Sequence, residues 1–356
     1  MTLRVALVGG PMYDHLYPVL EGLDVEVVVH ADHPTLNRRA ADMLAAGERI
    51  DVLSTHSKYA PSQAQWLRPL DQLVDTSALA PLAVDLCRGG GALWSVPRLI
   101  DVRIMWARTD RPPVPGTWQQ MVDGGHVFGF PGRESGLFGT FFELVVGQGG
   151  RLFDDDGTPC IDSPEAVHAV EMLCRLASVA PAGLPDWHYD QVDAALLDGA
   201  VHAAGVWPGG WGPISRSGAA DVLRPHRYPA GSARWVSYAG CHSWAVPTTC
   251  ADLAAALEAV RVLSSREAHA RDAAGGTVCA HVDALAAVRP VSEVDAERLA
   301  ITADTIQQAM ITYPPHPRFP EVEDAGWLAI NEALRGTCSP RHAVQQVQRR
   351  AEAALG

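Results

Sequence analysis

LWSVPRLIDVRIMWARTDRPPVPGTW, residues 93–118, is the stretch on which the fold of this chain turns. Trp94 to Ala107 reads as extended and β-rich, and a Pro-rich turn and a fresh start at Thr117 come after it. Within it Arg103-Ile104-Met105-Trp106-Ala107 is short, apolar-rich and bounded by Asp110 and Pro112, the pattern of a strand leaving one globular body for another. The residues before this stretch read as one α/β lobe and those after it as a second, with a return to the first near Ser237. Two lobes joined by crossing strands usually hold a ligand between them.

Working outward toward the N-terminus, residues 3–9 form a first strand broken by Gly9-Gly10-Pro11, and Met12 to Leu20 a helical segment with Asp14 near its start. Val25 to His30 is a second strand, Asn37 to Ala46 an amphipathic helix stopped by Gly47, Ile50 to Ser54 a third strand and Ser62 to Leu67 a short helix. That alternation predicts a mostly parallel sheet with helices on its faces. Ligands then meet the loops at the carboxyl ends of strands. Two loops qualify: Tyr13-Asp14-His15 after the first strand and His56-Ser57-Lys58-Tyr59 after the third.

Toward the C-terminus, Val127 to Phe130 is a strand ending at Pro131-Gly132-Arg133-Glu134-Ser135, and a helix from about 136 to 146 opens with amides free to receive a ligand oxygen. Leu152 to Cys160 is hairpin-like. Its Asp154-Asp155-Asp156-Gly157 lacks the spacing and closing glutamate of a calcium loop and reads as a turn. Ser163-Pro164 starts a helix, and Val201–Val206 is a strand running into Trp207-Pro208-Gly209-Gly210-Trp211. Trp235 to Val246 is a long extended run. Helices are expected at 251–263, 299–310, 322–335 and 340–355.

The bulk numbers exclude whole classes. A chain of 356 residues suits two lobes, and 47% hydrophobic with 19% charged residues is ordinary for a globular protein. A net charge of −13 without a basic cluster argues against a nucleic-acid partner. No apolar run is long enough to span a membrane. The seven cysteines lack paired CxxC spacing and are odd in number, so neither a metal site nor a disulfide set is expected. No motif calls for a cofactor. Lys58 is the only lysine among 28 basic residues.

The order of features resembles the family 1 extracellular solute-binding proteins, the sugar-binding subunits of bacterial ABC importers of maltose-binding-protein type. The resemblance rests on Asp51-Val52-Leu53-Ser54, Leu70-Asp71-Gln72-Leu73, Trp94-Ser95-Val96-Pro97 and Pro115-Gly116-Thr117-Trp118. It continues through Gly149-Gly150-Arg151-Leu152-Phe153, Asp162-Ser163-Pro164-Glu165-Ala166, Trp207-Pro208-Gly209, Ser243-Trp244-Ala245-Val246-Pro247, 262–276 and 336–344. It implies a two-lobe, periplasmic-binding-protein-like fold of type II. Lobe 1 would comprise about 1–105 and 238–308, and lobe 2 about 106–237 and 309–356. It also implies hinge closure over a polar ligand, a saccharide or glycoside, and, if the protein is exported, permease subunits as partners of a monomeric receptor. The first strand is too short for a secretory leader. A leader ahead of Met1 would place the protein outside the cell or in the periplasm, and a true start at Met1 in the cytoplasm.

Sugars are gripped by flat aromatic faces and by polar groups that replace hydroxyl hydration. The candidates in lobe 1 are Tyr13, Asp14, His15, His56, Ser57, Lys58 and Tyr59, with His242 and Trp244 on the returning strand. Those in lobe 2 are Arg133, Glu134, Ser135, Trp207, Gly209, Gly210, Trp211 and, in the Pro-rich connector, Arg318. Trp244 fits cleft or core equally well, and one of Trp207 and Trp211 could pack inside. His15, His56 and His242, with Cys241 and Lys58, also fit a second reading, a cytoplasmic enzyme or sensor on the same fold. No nucleophile motif, metal spacing or phosphate loop supports chemistry.

Overall fold

In a computed structural model the described residues are 1–10 and 12–355; the strand-breaking Pro11 lies outside them. The chain divides into two compact units. Unit 1 comprises Met1–Asp101, Gly240–Arg289 and Pro315–Pro317, and unit 2 comprises Val102–Ala239, Pro290–Pro314 and Arg318–Gly356.

Unit 1 is built on a sheet of β1 (Leu3–Val8), β2 (Val25–Ala31), β3 (Val52–His56), β6 (Val96–Val102), β11 (Ser237–Ala245) and β12 (Val278–Cys279), in the order β12-β6-β11-β3-β1-β2. A small hairpin of β4 (Arg88–Gly89) and β5 (Ala92–Leu93) precedes β6. β1 pairs parallel with both β2 and β3, as alternating strands and helices require. β11 runs antiparallel to β3, and β12 antiparallel to β6, so the sheet is mixed rather than mostly parallel. The first loop is a 3-10 helix, Asp14–Leu20, instead of an α-helix, because Pro18 lacks the N–H that an α-helical turn needs. The next helix, His33–Ala45, begins four residues earlier than its apolar pattern indicated. Asp32 caps it by accepting the Thr35 amide at 3.0 Å, and Pro34 occupies its first turn.

Unit 2 carries a sheet of β7 (Ile104–Arg108), β8 (Phe128–Gly129), β9 (Ala203–Val206) and β10 (Leu223–His226), in the order β10-β7-β9-β8. Within this unit β13 (Met310–Ile311) pairs with the first residues of β11. The helix Glu134–Gly147 is mostly apolar and buried along nearly its whole length, as a central core helix should be. Helices Pro164–Val179, Phe319–Leu334 and Pro340–Leu355 pack about it, with Phe138, Phe141, Leu173, Ile330 and Val344 in one continuous core. The 152–160 segment is hairpin-like, with Phe153 bridged antiparallel to Pro159 and backbone hydrogen bonds from Cys160 to Leu152 and from Asp154 to Thr158. There the Asp154 carboxylate accepts the Asp156 and Thr158 amides at 3.0 and 2.8 Å, which makes this acidic run a turn.

Residues 290–308 belong to unit 2, not to the first lobe. The helix Glu293–Gln308 lays the Arg298 guanidinium 5.0 Å over the Trp211 ring and pairs Asp304 with Arg227. Its contacts are therefore made with β10 and β7. The first crossing also falls at 101/102 rather than after 105, because Arg103 is tied to Glu143 inside unit 2.

Candidate functional site

The carboxyl ends of β1, β2 and β3 gather the polar residues of unit 1. Register does much of this: His242 of β11 lies directly across from His56 of β3, so both imidazoles stand on one face of the sheet. Their ring centroids are 5.0 Å apart. His33, the first residue of the helix after β2, completes a triangle at 4.4 Å from His242 and 5.6 Å from His56. A hydrogen-bonded line runs through it: His33 Nε2 to His242 Nδ1 at 2.7 Å, then His242 Nε2 to the Asp101 carboxylate at 2.7 Å. Tyr13 packs against His242 at 5.0 Å with its hydroxyl 3.4 Å from Nε2, and Tyr59 stands 6.1 Å from His33. The Lys58 ammonium lies 4.7 Å over the Tyr59 ring, a cation–π contact. Burial, reinforced by the neighbouring cations, holds His33 and His56 well below the ordinary imidazole pKa, so both rings are neutral.

The backbone is adapted to this cluster at Gly240. A Cβ there would lie 2.1 Å from His56 Cε1 and 2.3 Å from Nε2, so the imidazole occupies the space a side chain would fill. Gly240→Ala is expected to expel His56 and to cost about 1–3 kcal/mol, the usual penalty for overpacking. Urea unfolding checks this, and Gly240→Ala combined with His56→Ala should recover most of the loss. Equal stability of wild type and single variant would show that the ring has another place to go.

The Tyr13 loop is held from beneath. Arg98, buried to 1% exposure, donates two 2.8 Å hydrogen bonds to the Asp272 carboxylate, and His15 Nε2 reaches the same group at 3.1 Å. Burial pushes the Asp272 carboxyl upward, but Arg98 and His15 outweigh it and hold it at about 2. Arg98 also donates to the Tyr13 carbonyl and faces the Tyr13, Tyr17 and Trp244 rings. His15 is thus an anchor of the loop. Asp14 accepts from Gly10 and pairs with His30 at 2.8 Å, away from the histidine triangle. Ser57 fixes the Lys58 loop to β11 through its amide and hydroxyl, both bonded to Cys241. Trp244 is fully buried and belongs to the core.

In unit 2, Trp207 follows β9 half-buried, its ring 5.8 Å from Tyr189 and 5.9 Å from Tyr238, both at steep angles. The Arg103 guanidinium lies 5.3 Å from the Trp207 ring and faces Tyr228 and Tyr238 as well. Gly209 and Gly210 are buried in a 3-10 turn where a Cβ at Gly210 would meet Val206 at 2.3 Å, so they shape the turn. Trp211 stacks on Trp106 at 5.8 Å beneath Arg298 and packs against the core. Of the two tryptophans, Trp207 is the one set among polar aromatic partners.

The helix start Arg133-Glu134-Ser135 has an unusual backbone. Glu134 has φ 55, the left-handed region that a non-glycine residue enters at a cost, and strain of this kind concentrates at functional positions. Its carboxylate pairs with Arg133 at 2.6 Å and lies 3.5 Å from His188; Ser135 is half-buried in the first turn. Arg318 is exposed and paired with Glu321. Unit 2 also has a concavity of about 440 Å³ whose lining includes Met105, Pro115, His226, Arg227 and Trp235, none of them a sequence-predicted contact. Among the described residues no helix is long and apolar enough to cross a membrane, and no group of His, Cys, Asp and Glu has metal-binding geometry.

Three contributors escaped the sequence reading: His33, Asp101 and Tyr189. His33 was accessible in principle. It comes after the second strand as Tyr13 does after the first, and the same carboxyl-end rule selects it. Asp101 and Tyr189 carry no such local signal.

Two α/β units linked by crossing strands, with polar and aromatic residues collected at strand ends, define a protein of the solute-binding class. The sequence matches the family model of bacterial extracellular solute-binding proteins over residues 21–279, and the chain belongs to that family. It is similar to a probable amino-acid ABC transporter periplasmic-binding protein of Sinorhizobium fredii, 27% identical over 158 residues. That match covers 39% of this chain and 35% of the relative, so the aligned part spans about a third of the relative's length. In fold it is similar to maltose-bound MalE3 of T. maritima, with TM-score 0.89, 20% identity and 99% of each chain covered. The GacH receptor of Streptomyces glaucescens, described unliganded and with acarbose, superposes with TM-score 0.84 at 18% identity over 99% of this chain and 98% of that one. A solute-binding protein of Agrobacterium radiobacter in complex with ribitol gives TM-score 0.83 at 19% identity over 99% and 98%.

Proposed function

We propose that this chain is the solute-capturing subunit of an ABC importer and that its solute is a saccharide or a closely related polyhydroxylated molecule. Its working place would be outside the cytoplasmic membrane and its macromolecular partner a permease. The observation that carries the reading is the strand-end cluster of His33, His56, His242, Tyr13 and Tyr59. The neutral imidazoles of His33 and His56 and the phenols of Tyr13 and Tyr59 both donate and accept hydrogen bonds, which matches hydroxyls better than it matches an ion. Membership of the solute-binding family and the sugar and polyol complexes of fold relatives support the same class. Trp207 would add the apolar face against which a sugar ring stacks. In this reading no bond is made or broken. A solute with a higher affinity for one conformation of the chain would shift the population toward it.

A thermal-shift screen over neutral sugars, polyols, sugar acids and amino acids tests it. A saccharide or polyol is expected to raise the melting temperature in proportion to the logarithm of its concentration, with no product formed. Trp207→Ala is expected to weaken that solute roughly tenfold. Stabilisation by amino acids alone, the class named for the Sinorhizobium relative, would overturn the saccharide assignment while leaving capture intact. Lys58→Met separates charge classes: it should leave a neutral sugar's affinity unchanged and cost an acidic one a charge-assisted bond.

A further inference from the structure

Seven cysteines are free, and the sequence offers no spacing that pairs them. The fold pairs two. Cys87 follows the helix Pro81–Leu86 and Cys241 lies on β11, 154 residues apart in the chain, yet their sulfurs are 3.8 Å from one another. Both residues are buried, at 1% and 0% exposure. The Ser95 and Ser243 hydroxyls lie buried near Cys87, and neither has a hydrogen-bond partner among the described residues. Two buried hydroxyls with nothing but a sulfur to bond are an uncommon arrangement in a native core. In the finished fold they are placed to donate to the Cys87 sulfur once it is joined to Cys241.

We infer that Cys87 and Cys241 are a redox pair that closes to an intramolecular disulfide when the chain matures outside the cell. The family to which the chain belongs is extracellular, a setting in which disulfides form and persist. The oxidant is a disulfide, either a small-molecule one or that of a thiol oxidase. The Cys87 thiolate attacks one of its sulfurs, releasing the first thiolate and leaving a mixed disulfide on Cys87. The Cys241 sulfur then displaces the second. One S–S bond is broken and one formed, two protein thiols are oxidised, and their protons leave on the two reduced thiols. Because both sulfurs are buried in the finished fold, the exchange belongs to folding, before the helix Pro81–Leu86 closes over β11. The bond would clamp that segment to the strand whose Cys241 backbone holds Ser57 and whose next residue is His242.

The test needs no solute, so it stands or falls apart from the transport reading. Reduced, denatured full-length chain is refolded in a mixed glutathione buffer, quenched with iodoacetamide in denaturant and mapped by tandem mass spectrometry. Most molecules should carry a Cys87–Cys241 linkage while Cys160, Cys174, Cys250, Cys279 and Cys338 are alkylated. Reductant should then lower the melting temperature by several degrees, and Cys87→Ala should abolish that response. Recovery of both residues as alkylated thiols, or their linkage to other cysteines, would overturn the inference. The mapping is done on the wild-type chain, so a variant that fails to fold does not blunt it.

Discussion

Glu143→Ala is expected to destabilise the protein by about 3–5 kcal/mol, the usual cost of leaving one member of a buried ion pair without its partner. Arg103 and Glu143 are exposed by 1% and 0%. Arg103 Nη2 donates to Glu143 Oε2, Nη1 reaches Thr140 at 3.3 Å, and Glu143 Oε1 accepts the Tyr238 amide at 2.7 Å. Burial pushes the Glu143 carboxyl upward against the pull of Arg103, whereas the facing carboxylate outweighs burial and holds the guanidinium charged. Removing Glu143 strands that guanidinium among Trp207, Tyr228 and Tyr238. The loss should therefore appear in the urea midpoint and also as a shift in tryptophan emission. Arg103→Met with Glu143→Leu should restore most of the stability, because an apolar pair of similar volume escapes the desolvation cost. That double variant should still bind solute more weakly, since Trp207 would lose the cation that orients it. A single variant within 1 kcal/mol of wild type would mean that Arg103 finds water.

The elements with strong periodicity were legible, and so was the crossing. Helices at 164–179 and 340–355 arise from apolar spacing and from starts such as Ser163-Pro164, where the serine hydroxyl accepts the Ala166 amide. The α/β character came from the alternation of strand and helix in the first hundred residues, and the two-lobe type II fold from the family resemblance. Side-chain partnership across the sheet was not legible. His242 faces His56 only because β11 returns antiparallel to β3 in one particular register, and a slip of one residue would put the two rings on opposite faces. Cys87 and Cys241 meet for the same reason, through chain return rather than local spacing. Trp211 and Trp244 illustrate the converse. A tryptophan beside glycine or small residues at a strand end reads alike whether it stacks on Trp106, lies in the core or faces solvent, because sequence records the residue and not its neighbours.

Acid should weaken the fold well before it weakens solute binding. His33 and His56 are kept neutral chiefly by burial, and burial also takes His269 down to about 4, with neither of its ring nitrogens hydrogen-bonded among the described residues. In the unfolded chain all three take up protons as the pH falls through about 6.5. Folded-state pKa values below the unfolded ones mean that unfolding absorbs protons, so this stability is fully present above pH 6.5 and is lost on acidification. The loss approaches about 1.4 kcal/mol per pH unit for each group, or roughly 4 kcal/mol per unit for the three together, until the folded-state pKa values are reached. Asp272 acts in a separate window: its depressed pKa adds stability above the ordinary carboxylate range that is lost only as the pH falls toward 2. Urea midpoints between pH 7 and 5 should therefore fall steeply, and His269→Leu should flatten the curve by about one group's share. Solute affinity over the upper part of that range should stay level, because the folded site binds no additional proton at His33 or His56. Affinity falling in step with stability from pH 6.5 would show that one of these imidazoles is protonated in the native state, and the neutral hydrogen-bonding cluster would have to be abandoned.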